Sequence, residues 1–426
     1  MKQLALWLLG IVLFVVAPVV LIAAIFVLGG EEALEQEREA WATIGGPRSI
    51  DEYVQRLNAD VTESDRQAAD LWLQAMAALP SDTPEFLRLL DETDATDRHT
   101  LAEALASAQE ALTLAQAAAR MDVSHWPAIY DDDSSTSLAD NYGLFSSFEP
   151  SRRLTFYLRG QAILALQEGD AAGAVRSIET GMHLASFVEA QPILISSLTS
   201  ITIRITMTLV LEHVMEHTGA PDALPDLSTL DRMMEQCRFA PLRRKGLYCE
   251  GICQRLMFAE VVPGKRRTFL RENPIQAELV GTVFDAAMKQ NEAASLRHMR
   301  EWVEYVSLPP LERTDRAIPN EPPFWAHIAN LIAPALERAN AAISQTDAMV
   351  LQARHAIHLT EYYRRHNAFP APDEFRSLAI YEANGFVITY TLSDDGHTVT
   401  LGCQPDPRLN RDERERVGRP TFELTW

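Results

Sequence analysis

The five residues His213-Val214-Met215-Glu216-His217 carry the sharpest chemistry in the chain. Two histidines four apart share one face of a helix and can chelate Zn2+, while the glutamate between them can activate a water molecule. The order H-x-x-E-H is that of the inverted zinc-peptidase motif. A catalytic zinc needs a third protein ligand, and Glu292 is the downstream residue taken for that place. The same five residues also read as an ordinary helix end. Gly219 follows as a C-cap, and the backbone dipole favours histidine near a helix C-terminus. Nothing else in the chain resembles the peptidase family. The structural reading is therefore preferred. A hydrolase with Glu216 as base and His213, His217 and Glu292 as zinc ligands is the alternative.

Cys237, Cys249 and Cys253 cluster, with Cys403 far away. In an oxidising compartment Cys237 can pair with Cys249 or with Cys253 and tie two helices together. Cys249 and Cys253 on one helix are placed less well for a bridge. Buried free thiols are the other reading. Between residues 238 and 271 the local charge reverses. Nine basic residues, among them Arg243, Arg244, Lys245, Lys265, Arg266 and Arg267, face only Glu250 and Glu260. Internal pairing with acidic regions is the plain reading of this patch, and docking on an acidic envelope partner or anionic headgroups is the sharper one. Asp131-Asp132-Asp133 opens a polar run that lacks the central Gly and closing Glu of a calcium loop. His355, His358 and Glu361 share part of one helix, which a solvated face explains equally well. The chain has no G-x-S-x-G, S-x-x-K or G-x-G-x-x-G, and Pro263-Gly264-Lys265 is not a phosphate loop. No cofactor is expected, and an enzymatic activity is not the favoured reading.

These side chains sit in 426 residues with a net charge of −21. The acidity argues against nucleic acid as a partner, because phosphate binding needs a basic face. Apolar residues make up 47% and charged residues 23%, the balance of a globular chain. From Leu4 to Leu28 no residue is charged. At 1.5 Å per residue such a helix is roughly 37 Å long, enough to span a bilayer core with some tilt. The run is too long for the core of a cleaved signal peptide, and Val27-Leu28-Gly29-Gly30 is a poor cleavage site. We read an uncleaved single-pass anchor in a bacterial inner membrane. The short basic tail at Lys2 favours an inside N-terminus, which places the bulk of the chain in the periplasm.

Beyond the anchor the pattern is mainly α-helical. Four segments are expected: the anchor, 1–29; a helical region ending in an acidic loop, 30–149; a solenoid-like helical body, 150–332; and a small α+β unit, 333–426. Ile193–His217 reads as a buried core helix, since Arg204 interrupts it. Arg152–Gln167 and Ala171–Glu189 flank the short turn Glu168-Gly169-Asp170, so they must pack antiparallel. At Leu158, Ala162, Ala165, Ala174 and Ile178 this hairpin resembles a tetratricopeptide unit, although Gly181 stands where Ala is usual. Pro334–His366 carries Leu336, Ile343, Val350 and Ile357 at seven-residue spacing, one narrow stripe suited to a single packing surface. Phe386–Leu392 and His397–Leu401 read as a β-hairpin turned by Ser393-Asp394-Asp395-Gly396, with Thr421–Trp426 as a further strand.

The segment Glu361–Pro370, followed by Phe375 and Leu378, resembles the region after the long helix of type II secretion pseudopilins. The whole arrangement is similar to a group of uncharacterised, membrane-anchored bacterial helical proteins with such a C-terminal unit. The resemblance implies an envelope location and carries no catalytic residues. The expected function is a membrane-anchored scaffold that binds an envelope protein, with an accessory role in a secretion or pilus-like assembly as a further alternative.

Overall fold

A computed structural model describes residues 17–89, 98–121, 148–191, 194–236, 247–248, 250–251, 277–308, 310–313, 318–319, 321–323, 326–378, 386–405 and 421–425. The helices are α1 (Ala17–Thr43), α2 (Ile50–Asn58), α3 (Glu63–Ala77), α4 (Glu85–Leu89), α5 (Arg98–Ser107), α6 (Gln109–Ala119), α7 (Phe148–Gln167), α8 (Ala171–Ala190), α9 (Leu194–His217), α10 (Ser228–Gln236), α11 (Ala277–Ser307), α12 (His327–His366) and α13 (Pro372–Leu378). The strands are β1 (Phe386–Leu392), β2 (Thr398–Pro405) and β3 (Thr421–Thr425). The fold is thus mainly helical with a small antiparallel sheet at the C-terminus. The beginning of the apolar run, the acidic loop, Cys237, Cys249, Cys253 and the basic residues Arg243, Arg244, Lys245, Lys265, Arg266 and Arg267 lie outside the described residues.

Two compact units interleave along the chain rather than following one another. The first comprises residues 1–53, 247–305 and 318–337. Its α1 buries Gly30, Leu34, Glu37 and Trp41 at helical spacing, while Glu31, Glu32, Glu35 and Glu39 stay exposed. A seam of ion pairs joins α1 to α11: Lys289 to Glu31 at 3.1 Å, Arg38 to Glu292 at 2.9 Å, and Arg297 and Arg300 to Glu37 at 2.7 and 3.2 Å. The partners climb in step, so the two helices run in the same direction. Gly30 allows the approach, since a Cβ there would stand 3.0 Å from the Ala286 carbonyl oxygen.

The second unit comprises residues 54–246, 306–317 and 338–426. The expected hairpin is present as α7 and α8. Gly169 takes φ 78°, where a side chain would be strained, and the Asp170 carboxylate accepts from the Gly173 N–H at 2.8 Å to cap α8. Gly160 lets Leu87 of α4 and Leu101 of α5 reach the α7 backbone. Trp72 of α3 stacks on Phe187 of α8 at 5.7 Å. Helix α9 packs on α8, and Ile201 of α9 meets Ile343 of α12.

Among the described residues, Ile195–His217 is the helix long and apolar enough to cross a membrane by length and composition, yet most of its apolar stretch is buried inside the protein. The sequence expectation of a core helix accords with that burial. Arg204 supplies a further reason, for its guanidinium pairs with the Glu189 carboxylate out of contact with water.

The sheet order is β1-β2-β3, with Leu401 of β2 between Tyr390 and Phe422. The first strand has the expected bounds, and the second begins one residue later than expected and runs on to Pro405. Gly396, at φ 75°, turns the chain between them. Helix α12 lies against this sheet: Gln352 donates to the Leu401 carbonyl oxygen at 3.0 Å, and Ala348 packs on Cys403.

Candidate functional site

The H-x-x-E-H residues occupy the last turn of α9. Val214 and Met215 point inward and are fully buried, which turns His213, Glu216 and His217 toward the outer side. The helix ends as its sequence requires: Thr218 Oγ1 donates to the Val214 carbonyl at 2.5 Å, and Gly219 takes φ 73°. One ligand atom from each of His213, Glu216 and His217 lies within 4.8 Å of the others. The two imidazole rings stand 4.0 Å apart, tilted by 35°. His217 Nδ1 is 3.0 Å from the His213 carbonyl oxygen. A carbonyl only accepts, so Nδ1 carries a proton and Nε2 is the ring nitrogen that this bond leaves unused, the arrangement found in metal-bound histidines.

Burial, with the neighbouring His217 adding to it, pushes the His213 imidazole down to about 4, so it is neutral at pH 7. Glu216 is shifted the other way. Partial burial raises its pKa, His217 opposes this, and the charge of Glu423 raises it further. Glu423 comes from β3, whose alternation sends Phe422 and Leu424 inward and Glu423 out. The Glu423 N–H donates to Glu212 Oε1 at 3.3 Å, which fastens the strand to the end of α9.

The sequence motif therefore places its three members together. Glu292 belongs to the first unit, where it accepts from Arg38. Glu423, whose N–H bonds Glu212 and whose charge acts on Glu216, is a neighbour of the motif that the sequence reading missed. The signal for it was the two-residue period of Thr421–Thr425, which sets Glu423 on the outward face.

The other histidine cluster does not converge. His355 is buried, its Nδ1 donates to the Leu351 carbonyl at 2.7 Å, and burial lowers its pKa to about 4. His358 reaches Asp231 at 3.4 Å, and Glu361 pairs with Arg365 at 3.0 Å. Cys403 is a free, buried thiol that burial pushes up to about 12, far from a nucleophile at neutral pH. A separate cavity of about 410 Å³ in the first unit is lined by Ala33, Ala293, Arg297, His298, Glu301 and Glu321. Arg297 there is committed to Glu37, and His298 Nε2 accepts from Trp302 Nε1 at 3.1 Å.

No family model matches this chain, and neither does a curated protein or a solved structure.

Proposed function

We propose that this protein is a single-pass, membrane-anchored helical scaffold of the bacterial envelope, with its body on the outer side of the inner membrane and an envelope protein as partner. The observation that carries the reading is α1. It continues without a break from the apolar run ending at Leu28 into the acidic stretch Glu31–Glu39, and its polar part is bound to α11 by four ion pairs. A helix built this way passes its orientation directly to the unit it enters, which suits an anchor that must hold a body in place rather than tether it loosely. The net charge of −21 supports a protein partner over nucleic acid.

Cell fractionation tests the anchor. The full-length chain is expected to stay with the membrane after alkaline washing and to be cut by protease added to spheroplasts. A chain released by the wash, or protected from protease, overturns the reading. Crosslinking in cells followed by purification in mild detergent tests the scaffold part. Recurrent envelope proteins in the crosslinked sample are the expected result, and a chain that is recovered alone overturns it.

A further inference from the structure

We propose that His213, His217, Glu216 and Glu423 form a binding site for a divalent transition-metal ion, and that the ion clamps the C-terminal strand β3 onto the end of α9. The ligand set goes beyond the scaffold reading and does not depend on it. Two imidazoles one turn apart and a carboxylate between them already gather their ligand atoms within 4.8 Å. The hydrogen bond from His217 Nδ1 to the His213 carbonyl fixes one imidazole in the orientation and tautomer that metal-bound histidines adopt.

The strand supplies what the helix lacks. The Glu423 N–H lies 3.3 Å from the carboxylate of Glu212, the residue before His213, and the Glu423 side chain is exposed, so β3 brings a further carboxylate to the end of α9, where like charges repel. A dication at that point turns the repulsion into two attractions. The strand also has a use for a clamp. Among the described residues it is the last in the order β1-β2-β3 and pairs with β2, through five residue partners from Thr398 to Gly402. Where it packs on α9, the Glu423 N–H donates to Glu212 Oε1 at 3.3 Å. Two imidazole nitrogens with two carboxylate oxygens suit Zn2+, Co2+ or Ni2+, whereas Mg2+ and Ca2+ take oxygen ligands throughout.

The test uses the full-length chain in mild detergent, stripped with a chelator and titrated with Zn2+ by calorimetry and with Co2+ by visible absorption. One ion per chain is expected, with the d–d bands of a four-coordinate Co2+ site, and amide exchange of Thr421–Thr425 should slow when Zn2+ is added. Replacing even an outer-sphere partner of a metal ligand weakens binding by roughly 10–100-fold, so His217→Gln and Glu423→Gln should each lose at least that much. Glu423 is exposed, so Glu423→Gln should fold with an unchanged circular dichroism spectrum. A chain that binds no Zn2+ above a His213→Gln/His217→Gln double variant overturns the site. Unaltered Zn2+ affinity in Glu423→Gln, or unchanged exchange in β3, overturns the clamp.

Discussion

Glu189 on α8 and Arg204 on α9 form an ion pair sealed inside the second unit, with side-chain exposures of 4% and 2%. Arg204 Nε also donates to Ser200 Oγ at 3.2 Å, within its own helix. This pairing explains how an arginine sits in the middle of an apolar helix. Its charge is met by the neighbouring helix rather than by water. Removing one partner leaves a buried charge without its counter-ion, which costs about 3–5 kcal/mol, whereas replacing both with apolar side chains of similar volume is often close to neutral. Arg204→Met should therefore unfold at markedly lower urea than wild type. Adding Glu189→Leu should restore most of the loss, and tryptophan fluorescence from Trp72, which stacks on Phe187 of α8, reports it. A double variant no more stable than Arg204→Met would show that the pair is not the source of the cost.

Gly181 and Met207 bring the same two helices into close approach. A Cβ at 181 would stand 2.3 Å from Met207 Sδ and 2.6 Å from its Cγ. The Sδ could swing aside, but Cγ is near the root of the side chain and cannot. Overpacking of this kind costs about 1–3 kcal/mol. An alanine in a helix interior returns up to about 1 kcal/mol in propensity. Gly181→Ala should thus destabilise wild type. In a Met207→Ala background, where the clash is gone, the same substitution should stabilise. The reversal of sign in a double-mutant cycle is the reading that matters, since Met207→Ala lowers the baseline by itself.

Much of this packing is legible along the chain. Glu168-Gly169-Asp170 announces the α7–α8 turn because the φ of 78° at Gly169 and the Asp170 cap are both local needs. The β-hairpin is local in the same way. Even Gly181, which departs from the tetratricopeptide pattern, acquires its reason only once Met207 is seen above it. The stripe on α12 is half legible. Ile343, Val350 and Ile357 are buried as their spacing predicts, but so are Asn340 and Arg354 from the polar positions beside them. Arg354 is buried because Asp231 and Glu235 of α10 meet it at 2.9 and 3.5 Å, a match that no periodicity on α12 can reveal. The candidate site divides the same way. His213, Glu216 and His217 declare themselves by spacing on one helix, while β3, whose Glu423 N–H bonds Glu212, comes from a distant part of the sequence.

Trp41 tests how firmly α1 is bound into the first unit. The ring is 1% exposed. It donates from Nε1 to the Pro47 carbonyl at 3.2 Å and meets Tyr248 edge-on at 5.3 Å. Gly46 and Gly251 are small because the ring occupies their space: a Cβ would come within 2.3 and 2.7 Å of it. Trp41→Ala should cost about 3–5 kcal/mol through the cavity it leaves. Limited proteolysis in detergent should then cut within residues 277–305 of the first unit, at protease levels that leave the wild type whole, while membrane attachment is kept. Wild-type resistance in Trp41→Ala would mean that the ion-pair seam alone holds α1 in place.

Acid should loosen the second unit through His355. Burial pushes its pKa down to about 4, and the nearby charges of His358 and Arg354 add to this, while the hydrogen bond to Leu351 and the charge of Asp231 oppose it. The unfolded chain protonates this histidine near 6.5 and the folded one only near 4. Between those values the unfolded state binds the extra proton, so stability rises with pH, and it is lost as pH falls from 6.5 toward 4. At 1.36 kcal/mol per unit the full shift is on the order of 3 kcal/mol for a side chain this deeply buried. His213 acts in the same direction over the same window, to a smaller extent because it is only half buried. Asp231 is pushed up by burial but held below its usual range overall by His358 and Arg354, so its contribution is present above about pH 4 and is lost only in stronger acid. The urea midpoint should accordingly fall steadily between pH 6.5 and 4.5 in the wild type. His355→Leu should begin lower at pH 7, having lost the bond to Leu351, and then change much less with acid. An equal slope in the two proteins would place the acid sensitivity elsewhere.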